Sequence, residues 1–231
     1  PMEVAPTAHY SMGGIVVIPE NHFTGIEGLF ACGEVTGGLH GANRLGGNSL
    51  AEILVFGKRT GNGASNHSKN LKTHIRSMEV IMRANDNFDA KIKNGNEISK
   101  KLEFELHNIM WEYCGVIRDE KKIKLGLEKI NKLKERSKNI DVQIDKGGST
   151  EDLISVHNIE SSIICANATL LSALERRESR GSHQRADFPN INNSEKYNIK
   201  VRLSGQNNFS IRKFPTEEIN DDIKDLIKST K

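Results

Sequence analysis

The stretch that most constrains this chain is Gly33-Glu34-Val35-Thr36-Gly37-Gly38-Leu39-His40-Gly41-Ala42-Asn43-Arg44-Leu45-Gly46-Gly47-Asn48-Ser49-Leu50, in which six of eighteen residues are glycine. Ahead of it, Gly28-Leu29-Phe30-Ala31-Cys32 reads as a short buried strand. Behind it, Leu50-Ala51-Glu52-Ile53-Leu54-Val55-Phe56-Gly57 reads as an apolar helix opening at Asn48 or Ser49, with Ser49 as its N-cap. The order is strand, glycine loop, helix N-terminus. Glycine at this density lets the backbone take positive φ and approach a ligand closely. The free N–H groups of a helix start favour an anion. A phosphate loop of the Walker type is excluded, because Gly47 stands where its lysine belongs after Gly41 to Gly46.

Polar residues inside this loop are candidates for chemistry. Arg44 lies between two glycine clusters, outside any packing stripe, and its guanidinium fork matches a carboxylate or phosphate with two bonds. His40 reads either as a second donor or as a satisfied core histidine. Glu34, after the apolar run, can accept hydrogen bonds from sugar-type hydroxyls. Upstream, His9-Tyr10-Ser11-Met12-Gly13-Gly14 ends a polar-aromatic loop that begins at Val4, and Ile15-Val16-Val17-Ile18 reads as a β-branched strand.

The second half reads as helical. Leu102, Leu106, Ile109, Met110 and Tyr113 share one face of a helix ending near Gly115, and Ile123, Leu127, Ile130 and Leu133 mark a second, with Lys and Glu on its solvated side. A third opens at Ser149, with Asp152 three residues on as in a capping box. It carries Leu153, Val156, Ile159, Ile163, Leu170 and Leu174 and stops at Gly181. Three such stripes imply a small antiparallel bundle. Ile199, Val201 and Leu203, a turn at Gly205-Gln206-Asn207-Asn208, then Phe209 and Ile211 signal a hairpin, followed by a charged amphipathic tail over 216–231. Between the halves, 66–97 reads as a connection with one helix near Ile75 to Ala84. Arg176 and Arg177 read as cations offsetting a helix dipole, and Arg180, His183 and Arg185 as docking groups against another domain.

Composition narrows the class. A net charge of +3 spread among interleaved Lys, Asp and Glu forms no basic, aromatic-laced patch, so nucleic acid is not an expected partner. No apolar run reaches the roughly 20 residues of a membrane span, and no signal peptide opens the chain. Cys32, Cys114 and Cys165 have no metal spacing and read as small core residues of a reducing compartment, with no metal site expected. The start at Pro1-Met2 reads as that of a fragment whose N-terminal part is absent.

Three motifs, His9 to Gly14, Gly33 to Leu50, and Glu178-Ser179-Arg180-Gly181-Ser182-His183 through Arg185-Ala186-Asp187-Phe188-Pro189, resemble in order the flavoprotein subunit of succinate dehydrogenase and fumarate reductase. The resemblance implies an FAD enzyme moving a hydride between the flavin and a four-carbon dicarboxylate, interconverting succinate and fumarate. By position, His9 and Arg44 hold the substrate carboxylates. Glu34 and Gly33 meet FAD, and Asn48, Ser49 and Leu50 approach the flavin at the helix N-terminus. It further implies an iron–sulfur subunit that links the chain to a membrane anchor, at a cytoplasmic site peripheral to the inner face of the membrane.

The expected architecture is α+β. Residues 1–65 form the closing part of an FAD-binding domain, built of short strands, the glycine-rich loop and a helix. Then come a connection (66–97), a helical C-terminal domain (98–189) and a hairpin with charged tail (190–231). The dinucleotide fingerprint and the capping domain with its acid/base arginine are expected upstream of Pro1, so the piece alone is expected to be inactive. Two rivals stand beside this reading: L-aspartate oxidase, which shares the His and Arg, and a non-catalytic docking module.

Overall fold

The computed structural model describes residues 2–3, 9–72, 77–142, 151–194, 196–205, 208–216 and 218–229. The loop start over Val4–Ala8, Ser149 with its capping box, and the turn residues Gln206 and Asn207 lie outside the described residues. The chain folds into two compact units, Pro1–Ile92 with Arg180–His183, and Lys93–Ser179 with Gln184–Lys231.

In the first unit, loops dominate up to α1 (Asn48–Asn70), which is followed by α2 (Met78–Asp89). The strands expected over 15–18 and 28–32 are reduced to isolated bridges, Ile15 with Thr36 and Phe23 with Phe30. Ile15, Val16, Ile18 and Leu29 are exposed rather than buried. Their β-branched and apolar character favours extended backbone, but a strand needs a neighbour to ladder with. Helix α1 continues through Gly57, Gly61 and Gly63, well past the apolar run, and its burial is inverted. Leu50, Ile53, Leu54 and Val55 are exposed, whereas Glu52 and Thr60 are buried.

The second unit holds the main apolar core. Helices α3 (Ser99–Cys114), α4 (Glu120–Ser137) and α5 (Glu151–Glu175) pack through the three stripes the periodicity marks. Leu102, Ile123, Ile130, Leu133, Ile159 and Leu170 are completely buried, each contributing about 1.5–3 kcal/mol of burial. Met110, Tyr113, Leu127 and Leu174 flank them. Gly126 sets the helix spacing, for a Cβ there would lie 2.8 Å from Tyr113 Cβ and 3.1 Å from a Leu170 methyl. Asp119 caps α4 by accepting from Lys122 N–H (2.9 Å). Cys114 is buried, and desolvation pushes its thiol pKa up; Cys165, expected in the core, is exposed because it sits off the buried stripe of α5.

Helix α5 stops short of Gly181, at Glu175, and the cause is Arg185. Its side chain is buried, and Nη1 donates to the carbonyls of Ala173 (2.7 Å) and Arg176 (3.1 Å), closing the helix end. Arg185 is therefore a structural cap, not the docking group the sequence indicated. Its Nε and Nη2 form a two-pronged pair with Asp187 (2.7 Å each), and Asp187 also accepts from Glu120 N–H at the start of α4 (2.9 Å). The Arg185 hydrogen bonds hold the Asp187 carboxyl down at about 2. Arg176, expected to offset the dipole, instead pairs with the fully buried Glu178 (2.7 Å) and donates to Tyr197 carbonyl (2.6 Å). The short strands β1 (Ile117–Arg118) and β2 (Gln184–Arg185) pair in parallel. The hairpin forms as expected. β3 (Tyr197–Ser204) and β4 (Asn208–Pro215) run antiparallel with Val201 opposite Ile211 and Leu203 opposite Phe209. Helix α6 (Asp221–Ser229) occupies the tail, with Ile223 and Leu226 exposed.

Candidate active site

Two glycine-bearing loops of the first unit are laced together by their backbones. Ile15 N–H donates to Val35 carbonyl (2.7 Å), and Gly37 N–H donates to Ile15 carbonyl (3.0 Å). Gly14 makes this possible, because a Cβ there would stand 2.1 Å from Val35 oxygen. The lacing sets the His9-Tyr10-Ser11 segment beside Gly33-to-Arg44. Ser11 N–H donates to Glu34 Oε1 (2.7 Å), so the exposed Glu34 carboxylate ties one loop to the other. Buried Gly33 takes φ 82°, and its carbonyl accepts from both Thr36 N–H (2.9 Å) and Thr36 hydroxyl (2.8 Å).

Tyr10 is the centre of this region. The Arg44 guanidinium lies over its ring, 4.5 Å from the centroid. The His40 ring meets it edge-on at 5.4 Å, and the exposed His9 ring sits 6.4 Å away. His9 and Arg44 thus flank one aromatic ring. Arg44 Nη1 donates to Leu45 carbonyl (3.2 Å), while its Nε is buried and without an acceptor among the described residues. A buried guanidinium N–H without an acceptor is costly unless a ligand supplies one.

Beneath Tyr10 sits Glu52, which reading the run as an apolar helix overlooks. Its carboxylate accepts from Tyr10 hydroxyl (3.0 Å) and His40 Nε2 (2.8 Å), and lies 3.4 Å from the Thr36 hydroxyl. Partial burial and the Glu52 carboxylate raise the Tyr10 pKa, with Arg44 opposing, so the phenol stays a donor. His40 is satisfied by Glu52. The only mark of Glu52 in the sequence is that it is a lone acid in an apolar run, which by itself does not tell burial from exposure.

The N-terminus of α1 adds a second feature. Its N-cap is Gly47, in the left-handed region at φ 83°, with no side-chain cap and no acid in the first turn. Ser49 lies inside the helix and is not its cap. Asn48, Ser49 and Leu50 form that first turn. This uncompensated positive end suits an anionic edge of a ligand. The positive-φ glycines, the helix start without a side-chain cap and the Arg44 N–H that lacks an acceptor among the described residues together fit a site that receives an anionic ligand.

At the third motif, Arg180 and His183 exchange backbone bonds (2.8 and 3.0 Å) around Gly181. Ser182 N–H donates to Ala42 carbonyl (3.0 Å), and a Cβ on Gly181 would be 2.1 Å from that oxygen. Among the described residues no group of His, Cys, Asp and Glu is arranged to hold a metal, and no helix is long and apolar enough to cross a membrane.

Residues 1–50 match the FAD binding domain family, and residues 103–221 match the family described as fumarate reductase flavoprotein C-term. Among relatives, a fumarate reductase (CoM/CoB) subunit of Methanothermobacter marburgensis is 40% identical over 82% of this chain and 34% of its own length. The fumarate reductase flavoprotein subunit of Haemophilus influenzae is 39% identical over 81% of this chain and 32% of its own. An L-aspartate oxidase of Nicotiana tabacum is more distant at 32%. Among solved structures, the Sdh1 complex of Mycobacterium smegmatis in the apo form superposes with a TM-score of 0.86 at 33% identity, covering 94% of this chain and 38% of that one. The chain spans about a third of the length of these relatives. With both models matched in order and the core motifs in place, the chain belongs to the succinate dehydrogenase and fumarate reductase flavoprotein family.

Proposed function

We propose that this chain supplies the closing part of the FAD site and the dicarboxylate-holding groups of a flavoprotein oxidoreductase that interconverts succinate and fumarate. The observation that carries this reading is Arg44, held over Tyr10 with a buried N–H that lacks an acceptor among the described residues. Its fork binds one carboxylate with two bonds, and His9, on the same ring, holds the other. Two anchored carboxylates fix the four-carbon chain, and fixing it removes orientational freedom that would otherwise add to the barrier. The two donor groups also draw electron density from an alkene between the carboxylates, which favours hydride arrival.

Gly33, Glu34, Asn48, Ser49 and Leu50 are the residues that would hold FAD, which when bound supplies the hydride chemistry. Glu34 accepts from hydroxyls, and the uncapped start of α1 stabilises negative charge. The relatives named as fumarate reductase subunits stand at 36–40% identity, against 32% both for the aspartate oxidase and for a succinate dehydrogenase flavoprotein subunit of Rickettsia conorii, which favours fumarate chemistry over aspartate oxidation. The relatives are named as subunits, and an iron–sulfur subunit with a membrane anchor is the partnership we propose, placing this chain at the cytoplasmic face. The domain limits 1–65, 66–97, 98–189 and 190–231 are proposed with it.

The test is turnover by the FAD-loaded full-length protein with fumarate, succinate and L-aspartate. Fumarate reduction or succinate oxidation without aspartate oxidation supports the reading. Aspartate oxidation alone moves the protein to the rival, and no turnover with any of them favours a docking module.

A further inference from the structure

We propose that Glu52 is the positioning residue of the dicarboxylate site, acting on Arg44 through the Tyr10 ring. The inference rests on the reading of Arg44 as a carboxylate-holding group. Glu52 reaches up from α1 with a side chain only 1% exposed. A carboxylate removed from water in this way is tolerated only when donors surround it. The donors here are not a random set. Tyr10 carries the guanidinium of Arg44 on its face, His40 braces the same ring at its edge, and Thr36 belongs to the loop laced to the Tyr10 segment.

The physical chain is short. The hydroxyl bond to Glu52 fixes the tilt and depth of the Tyr10 ring. The ring then fixes the plane in which the Arg44 fork can lie, because a guanidinium stacks parallel on an aromatic face. A fork that must meet a carboxylate with two bonds tolerates little error in that plane. Glu52 touches neither substrate nor FAD in this scheme. Its replacement by Gln keeps the shape, but Tyr10 hydroxyl and His40 Nε2 meet the same oxygen, so Gln retains both bonds only as weaker, neutral ones, with its NH2 turned toward the Thr36 hydroxyl.

The experiment uses the FAD-loaded full-length protein and malonate, a dicarboxylate with no reducible double bond, with affinity read by isothermal titration calorimetry. Wild type is compared with Glu52→Gln, Tyr10→Phe, the double variant and Arg44→Ala, and flavin content and Tm are recorded for each. Tyr10→Phe, which removes the bond, is expected to weaken malonate roughly tenfold, and Glu52→Gln, which only weakens it, roughly threefold, both at unchanged flavin content. The double variant is expected to bind no more weakly than Tyr10→Phe, because that change already cuts the one linkage on which Glu52 acts. A merely structural Glu52 would lower Tm or flavin content and leave the loaded fraction binding malonate as wild type does, which overturns the proposal. Additive losses in the double variant overturn it as well. Should Glu52→Gln fail to load flavin, Tyr10→Phe decides, and wild-type affinity in that variant rejects the linkage in every case. Arg44→Ala separates the two readings. If it binds malonate normally, the dicarboxylate site itself is wrong; if it loses malonate while the other variants do not, only the role of Glu52 falls.

Discussion

At the scale of single residues, the chain places charges where they do two different jobs. Arg44 has a buried N–H without a protein acceptor among the described residues and an aromatic shelf, whereas Arg185 has every nitrogen occupied by helix carbonyls and Asp187. Replacing Arg44 with Ala is expected to lower kcat/KM for fumarate in the full-length enzyme by roughly 10²-fold or more, with Tm little changed. Asp187 has the opposite signature. Its folded-state pKa of about 2 lies below the ordinary 3.8, so its contribution is complete above about pH 5 and is lost as the pH falls toward 2. Because Asp187 is exposed and its pair with Arg185 is partly screened by solvent, Asp187→Asn is expected to cost about 1 kcal/mol at neutral pH. The same change should flatten the acid limb of stability between about pH 4 and 2, as read by urea unfolding at a series of pH values. Cys165, exposed where Cys114 is buried, is expected to be alkylated first by iodoacetamide, with peptide mass spectrometry as the readout.

At the scale of elements, a close approach occurs at Gly126, where α4 meets Tyr113 of α3 and Leu170 of α5. Gly126→Val is expected to destabilise the helical unit by about 1–3 kcal/mol, because Tyr113 Cβ belongs to the main-chain frame and cannot swing aside. Chemical unfolding followed by circular dichroism would report it. The helices were legible in the sequence because each carries its own period, so Leu102, Ile123 and Ile159 could be assigned inward without knowing their partners. The hairpin was legible for the same local reason. The strands over 15–18 and 28–32 were not, since β-branched character says nothing about whether a neighbour exists. The end of α5 was hidden too, because its stop signal is the side chain of Arg185, well downstream of Glu175. The glycine loop, Arg44 and His9 could be picked out by residue type, but Glu52 could not. An acid in an apolar run reveals its burial only once Tyr10, Thr36 and His40 are seen to converge on it.

At the scale of the whole molecule, the second unit owns a continuous core, while the first buries mainly polar groups and leaves Leu50, Ile53, Leu54 and Val55 of α1 exposed. Exposed apolar faces of this kind belong against other protein. The 231-residue polypeptide expressed by itself is accordingly expected to retain no stoichiometric FAD and to show no fumarate reduction, while under the proposed function the full-length protein is expected to hold FAD and reduce fumarate. Flavin absorbance after gel filtration, together with an activity assay, checks this.

The bond between Ser182 and Ala42 spans 140 positions of sequence. Closing a span of that length costs about 4 kcal/mol of chain entropy beyond the local turns. On the ribosome the Arg44 loop emerges long before Gly181, and it must wait for the helices of residues 99–175 to be synthesised before its last backbone partner arrives. The long sequence separation of that one stitch makes completion of the glycine loop a late event in folding, after the helices between its two ends exist.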